Sequence, residues 1–87
     1  MYTLTFLTSA QKEFRKLDTV AQKRIKKKLL LLVENPEVLK NNIKALKGEH
    51  QGKFRLRISQ YRVIFQIKEG ELMITIIRVG HRKEIYE

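Results

Sequence analysis

The sequence predicts an α+β fold: an N-terminal strand, an antiparallel helical hairpin, then a three- to four-stranded antiparallel sheet packed on the helices. Three observations carry this. The first residues and three later segments alternate apolar and polar side chains, the period of a half-buried strand. Residues 9–34 instead place apolar side chains three and four apart, the signature of helices with one buried stripe. The segments after residue 52 are joined by two or three residues, too few for the crossover that parallel strands need. A chain of 87 residues has room for one domain, 1–87. At that size folding buries only about 60% of the unfolded surface, so the core is thin.

In the first strand, residues 2–8, Tyr2, Leu4 and Phe6 alternate with Thr3, Thr5 and Leu7. Thr8 or Ser9 can cap the helix that follows. There Ala10, Phe14 and Leu17 fall at i, i+4 and i+7, giving a short amphipathic helix over 9–17. Asp18-Thr19 breaks it. A second helix over 20–34 has Val20, Ala21, Ile25, Leu29, Leu32 and Val33 as its inner stripe. Lys23, Arg24, Lys26 and Lys27 lie outside or at its edges. Asn35-Pro36 stops it, because a residue before proline avoids the helical region. Two helices joined by so short a link form an antiparallel pair. Residues 36–42 read as a loop or a turn of helix, 43–46 as the possible start of a strand, and 47–52 as a turn. Strands are expected over 53–58, 61–68 and 72–79, separated by Ser59-Gln60 and by Glu69-Gly70-Glu71. Gly80 is expected to end the last strand in a sharp bend.

Side chains alternate across a strand, so Lys53, Arg55 and Arg57 share one face and Phe54, Leu56 and Ile58 the other. Tyr61, Val63, Phe65 and Ile67 form the apolar face of the next strand, opposite Arg62, Ile64, Gln66 and Lys68. If Ser59-Gln60 is a two-residue loop, Ile58 pairs with Tyr61, Arg57 with Arg62, Leu56 with Val63 and Phe54 with Phe65. One register then satisfies both hydrophobic patterns. It gathers Lys53, Arg55, Arg57 and Arg62 on one face with no acid among them. Like charges opposite one another destabilise a sheet. Scattered lysines that protect a sheet edge account poorly for three arginines across a hairpin. Arginine's forked geometry fits phosphate, and a bound polyanion explains the cluster better.

Nineteen Lys+Arg against nine Asp+Glu give a net charge of +10, beyond the ~2–8 that serves solubility in a small domain. A hydrophobic content of 43% is too high for a disordered basic tail. A folded domain of this charge expects a polyanion or an acidic protein as partner. There is no cysteine, which removes disulfides and thiolate zinc sites and fits a reducing cytoplasm. His50 and His81 are too few for a zinc site, so no metal and no cofactor are expected. The longest apolar run, 29–33, is far short of the ~18–20 residues of a membrane span. The N-terminus lacks the basic start of a signal peptide. A cytoplasmic protein with no membrane association is expected.

The order Leu46-x-Gly48, Lys53-Phe54-Arg55-Leu56-Arg57, Tyr61-Arg62-Val63-Ile64-Phe65, Val79-Gly80-His81-Arg82 and a final Tyr86 resembles the RelE/ParE superfamily of small bacterial and archaeal toxins, the RelE branch more closely. The resemblance spans essentially the whole chain. It implies the toxin of a type II toxin–antitoxin system, an endoribonuclease that cleaves mRNA in the ribosomal A site without a metal. Carried across, the family's catalytic residues fall on Lys53, Arg55, Arg62, Arg82 and Tyr86. Arg57, His81 and Lys83 are the further RNA contacts expected beside them. Two positions depart from the family. A family lysine is replaced by Arg55, which keeps its proton and so suits charge stabilisation. The residue before Arg82, often lysine, is His81, whose imidazole exchanges protons near neutral pH. The implied partners are mRNA on the ribosome and a cognate RelB-like antitoxin, acidic, with an amphipathic helix. A groove near the helical hairpin would receive that helix in a hetero-oligomer.

The implied reaction is attack of an RNA 2′-OH on the adjacent phosphate and departure of the 5′-oxygen. Preorganised cations suit the charge that develops. General acid–base help adds ~10²–10⁴-fold, and the ribosome can supply the attack geometry. Two other classes stay open. One is a ParE-like non-enzymatic inhibitor of DNA gyrase on the same fold. That branch generally lacks the complete basic and tyrosine set. The other is a plain basic RNA- or DNA-binding module. Phe54, Tyr61 and Phe65 fall on the face away from the cations, so the stacking platforms of such a module are missing.

Overall fold

A computed structural model of the chain describes residues 1–85. The element order is β1 (Thr3–Phe6), α1 (Thr8–Arg15), α2 (Thr19–Glu34), β2 (Ile43–Ala45), β3 (Lys53–Ile58), β4 (Tyr61–Lys68) and β5 (Met73–His81). Short 3₁₀ turns occupy Pro36–Asn42, Gly48–His50 and Glu69–Glu71. The strands form one sheet in the order β1-β5-β4-β3-β2. The α+β class is as expected, but the sheet has five strands and is mixed. β2 pairs antiparallel with β3 from Ile43↔Leu56 to Ala45↔Phe54. β1 lies parallel to β5 from Thr3↔Met73 to Phe6↔Ile76. The segment holding α1 and α2 carries the chain from one edge of the sheet to the other.

Local chemistry sets the boundaries. Asp18 caps α2, its Oδ1 accepting from the Ala21 N–H at 2.8 Å; a short side-chain oxygen there satisfies a donor that the helix leaves unpaired. α2 ends at Asn35, extended ahead of Pro36. α1 begins one residue earlier than the capping residues suggest: Leu7 stands at the N-cap without a side-chain bond, and its carbonyl accepts from the Gln11 N–H at 2.9 Å. The buried stripe of α2 is Ala21, Ile25, Leu29, Leu32 and Val33. Val20 lies off that stripe and is 67% exposed, against expectation.

The core forms where the α2 stripe meets one face of the sheet. Leu56 and Ile58 of β3, Val63 and Phe65 of β4, and Ile74, Ile76 and Val79 of β5 fill it. The hairpin register is the one the alternation demands: Phe54↔Phe65, Leu56↔Val63, Arg57↔Arg62 and Ile58↔Tyr61. A smaller apolar cluster sits on the other face, made by Leu46, Ile64 and Ile85 with Ile77 packed against it.

β5 departs from simple alternation twice. Its register against β4 shifts between Ile64↔Arg78 and Phe65↔Ile76, leaving Ile77 as an extra residue, a bulge that bends the strand and re-aims its side chains. The strand also runs past Val79, so that Arg62 pairs with Gly80 and Tyr61 with His81. Gly80 therefore does not end the strand. Among the described residues no helix is long and apolar enough to cross a membrane.

Candidate active site

The β3–β4 hairpin builds the site. Lys53 and Arg55 are half-buried on β3 and Arg57 is exposed. Arg62 lies across from Arg57. The turn between the strands takes a left-handed residue, Ser59 at φ 55°, without the glycine usual there. Arg62 folds back on this turn, its Nη1 donating to the Tyr61 carbonyl at 3.0 Å and the Ser59 carbonyl at 3.3 Å. The Arg82 N–H donates to the Gln60 carbonyl at 2.7 Å, which ties the segment after β5 to the same turn. Burial first, and then the charges of Arg55, Arg57 and Arg82, lower the Arg62 guanidinium from its ordinary value. Arginine starts so far above neutrality that it stays charged at physiological pH. The result is an arginine held in place among three others, a ready seat for a multiply charged phosphate.

The segment after β5 returns across the sheet. The N–H groups of Glu84 and Ile85 both donate to the His81 carbonyl, at 2.8 and 3.3 Å. Ile85 is buried at 4% exposure and seats itself on Gly80. A Cβ on Gly80 would lie 3.1 Å from Ile85 Cδ1 and 3.2 Å from Cγ1. The glycine serves close approach, not a bend. Lys83 is exposed. Tyr86, the remaining member of the expected catalytic set, lies outside the described residues.

His81 is not brought to the cationic face. Because β5 continues through Gly80, His81 keeps the alternation and falls on the Tyr61 side, its ring edge-on to Tyr61 at 5.8 Å between centroids. Nδ1 accepts from the Lys83 N–H at 3.2 Å, and Nε2 lies 3.3 Å from Gln60 Oε1. Both contacts are met by a neutral ring protonated on Nε2.

Glu13 was not singled out by the sequence. From α1 its Oε1 accepts from the Val79 N–H at 2.9 Å and its Oε2 pairs with Arg78 at 3.1 Å. It braces β5 beside the bulge. A lone acid on a short helix gives no sign of this role. Ile85, an apolar residue in an otherwise charged tail, did carry a signal.

Two concavities mark the surface, and the first includes Lys53 of the site. On the outer face a cleft of about 250 Å³ is lined by Leu46, His50, Lys53, Ile64, Ile77 and Arg78. Between β1, α1 and α2 a groove of about 290 Å³ is lined by Leu4, Phe6, Phe14, Leu29 and Leu30, with Arg15, Lys26 and Gln11 at its rim. Among the described residues no group of three or more His, Asp or Glu could hold a metal. What the hairpin itself presents is a set of fixed cations suited to an anion.

The fold and its cationic hairpin define a class. The family described as the ParE toxin of the type II toxin-antitoxin system, parDE, matches residues 4–86, and the chain belongs to it. It is similar to the mRNA interferase toxin RelE of Escherichia coli K12, with 33% identity over 87 residues, 98% of this chain and 90% of that protein. It is similar in structure to the toxin of the RelBE2 toxin–antitoxin complex from Mycobacterium tuberculosis, with a TM-score of 0.82 at 28% identity over 93% of this chain and 98% of the other. The isolated E. coli RelE toxin gives a TM-score of 0.77 at 30% identity over 93% of this chain and 84% of that one.

Proposed function

We propose that this chain is a ribosome-dependent mRNA endonuclease of the RelE type, acting in the cytoplasm and without a metal. The observation that carries the reading is Arg62, locked on the hairpin turn among Arg55, Arg57 and Arg82. Arg62 and Arg82 hold the scissile phosphate and stabilise its developing charge. Lys53 and Arg55 extend the same field, and Arg57 and Lys83 hold flanking backbone. Tyr86 is assigned to the site from the family resemblance. His81 is a packing and turn residue in this scheme, which uses no imidazole. The cations lack a strong base among them. Cleavage therefore depends on a substrate presented in attack geometry, and free RNA is a poor substrate.

The partner in this scheme is a RelB-like antitoxin. An acidic amphipathic helix fits the groove between β1, α1 and α2, which is apolar inside and carries Arg15 and Lys26 at its rim. Incubating the purified protein with mRNA alone and with mRNA on a programmed ribosome, and mapping the ends, tests the activity. Cuts only in the ribosomal reaction are expected. The family match to ParE toxins favours one other reading, inhibition of DNA gyrase. Inhibited supercoiling without RNA cleavage would establish it instead.

A further inference from the structure

Lys53 belongs to the proposed site, yet it also lines a cleft that phosphate chemistry does not explain. Half of the lining is apolar. Leu46 and Ile64 are buried to 6% and 5% exposure and form the floor with the half-buried Ile77. The rest is a rim of donors: His50, Lys53 and Arg78. Arg78 is held there through its pair with Glu13. The bulge in β5 brings Ile77 and Arg78 to this one cleft, where simple alternation would send them to opposite faces. A phosphate has no use for an apolar floor, and an apolar ligand none for three donors. A flat ring with acceptors on its edge satisfies both. The volume of about 250 Å³ is below the ~300–1,000 Å³ of pockets that take drug-sized ligands, and suits one ring system.

We infer that this cleft is a nucleobase subsite, holding the base of one nucleotide that flanks the scissile phosphate. The inference rests on the endonuclease reading. Lys53 connects the two: a nucleotide with its base on Ile64 and Ile77 has its phosphate on the side where Lys53, Arg55 and Arg62 stand. The subsite supplies base preference to a reaction whose cations are indifferent to sequence.

The test uses the full chain, programmed ribosomes, and mRNAs with an abasic ribose at each A-site codon position in turn. Single-turnover rates are compared for wild type, Ile77→Phe, which fills the cleft, and His50→Ala, which removes part of its rim. At one codon position, loss of the base slows wild type by roughly 5- to 100-fold, the range for losing the edge contacts of one recognised base. Ile77→Phe slows cleavage of intact RNA to a similar extent. On RNA abasic at that position wild type and variant cut alike, whereas at the other two positions the two losses multiply. Losses that multiply at all three positions overturn the subsite. If Ile77→Phe is unfolded by circular dichroism, His50→Ala is read in the same way and decides. A wild type that cuts none of the ribosome-bound RNAs overturns the endonuclease reading itself, and this inference falls with it.

Discussion

Arg62 combines two properties that usually conflict. Its guanidinium is fixed by two carbonyls of its own turn, and it is surrounded by like charge. The arrangement is costly while the site is empty and favourable when a phosphate enters. Arg62→Ala is therefore expected to slow single-turnover cleavage on the ribosome by ~10²–10³-fold, the usual cost of losing one donor to a transition-state oxyanion. Its melting temperature should equal or exceed that of wild type, because a repulsive charge has gone. Wild-type cleavage by this variant would remove Arg62 from the site. His81 makes the opposite case. Its Nδ1 already accepts the Lys83 N–H, so a proton on that atom must break the contact. The pH–rate profile of wild type is expected to be flat across the imidazole range, pH ~5 to 8. A step there that disappears in His81→Ala would show proton transfer.

At the scale of elements, the hairpin was legible and the last strand was not. β3 and β4 each carry an unambiguous alternation, and a two-residue loop leaves one register that buries both apolar sets. No such local constraint tells β1 where to pair: Thr3 meets Met73 across most of the chain. β5 was misread because a glycine after an apolar strand suits either a bend or a close approach, and only the seat of Ile85 decides between them. With the strand expected to stop at residue 79, the alternation was not carried on to His81, which the structure pairs with Tyr61. The bulge at Ile77 has no mark in the composition of β5. Gly80→Ala tests the tail directly. The new methyl must displace Ile85, and overpacking of this kind costs ~1–3 kcal/mol. Thermal unfolding should show that loss. Cleavage should fall further than the stability change alone accounts for, because Arg82 sits between Gly80 and Ile85. Unchanged cleavage in a destabilised protein would separate the tail from the chemistry.

For the whole molecule, a thin core must hold a net charge of +10. Phe65 is fully buried at the centre of the sheet and stacks with Phe54 at 5.5 Å. Phe65→Ala is expected to cost ~3–5 kcal/mol, most of the stability of so small a domain, and denaturant melts should show it largely unfolded at ambient temperature. Self-repulsion also makes the fold salt-sensitive in an uncommon direction. Raising ionic strength from 0.01 to 0.1 M shortens the screening length from ~30 to ~10 Å, so the melting temperature should rise with salt while affinity for RNA falls. A melting temperature that falls across this range would mean that attractive ion pairs, such as Arg78 with Glu13, outweigh the repulsion.

Among the described strands, the order β1-β5-β4-β3-β2 places β5, made after the other four, between β1 and the rest. Until β5 emerges, β1 has no partner and β4 has a bare edge. A growing chain thus cannot close its sheet or tie Arg82 to the hairpin turn. Messages cut short before residue 73 yield polypeptides without the strand that joins the two parts of the sheet. For a protein proposed to attack translating ribosomes, topology itself delays activity until the chain has been made through residue 81.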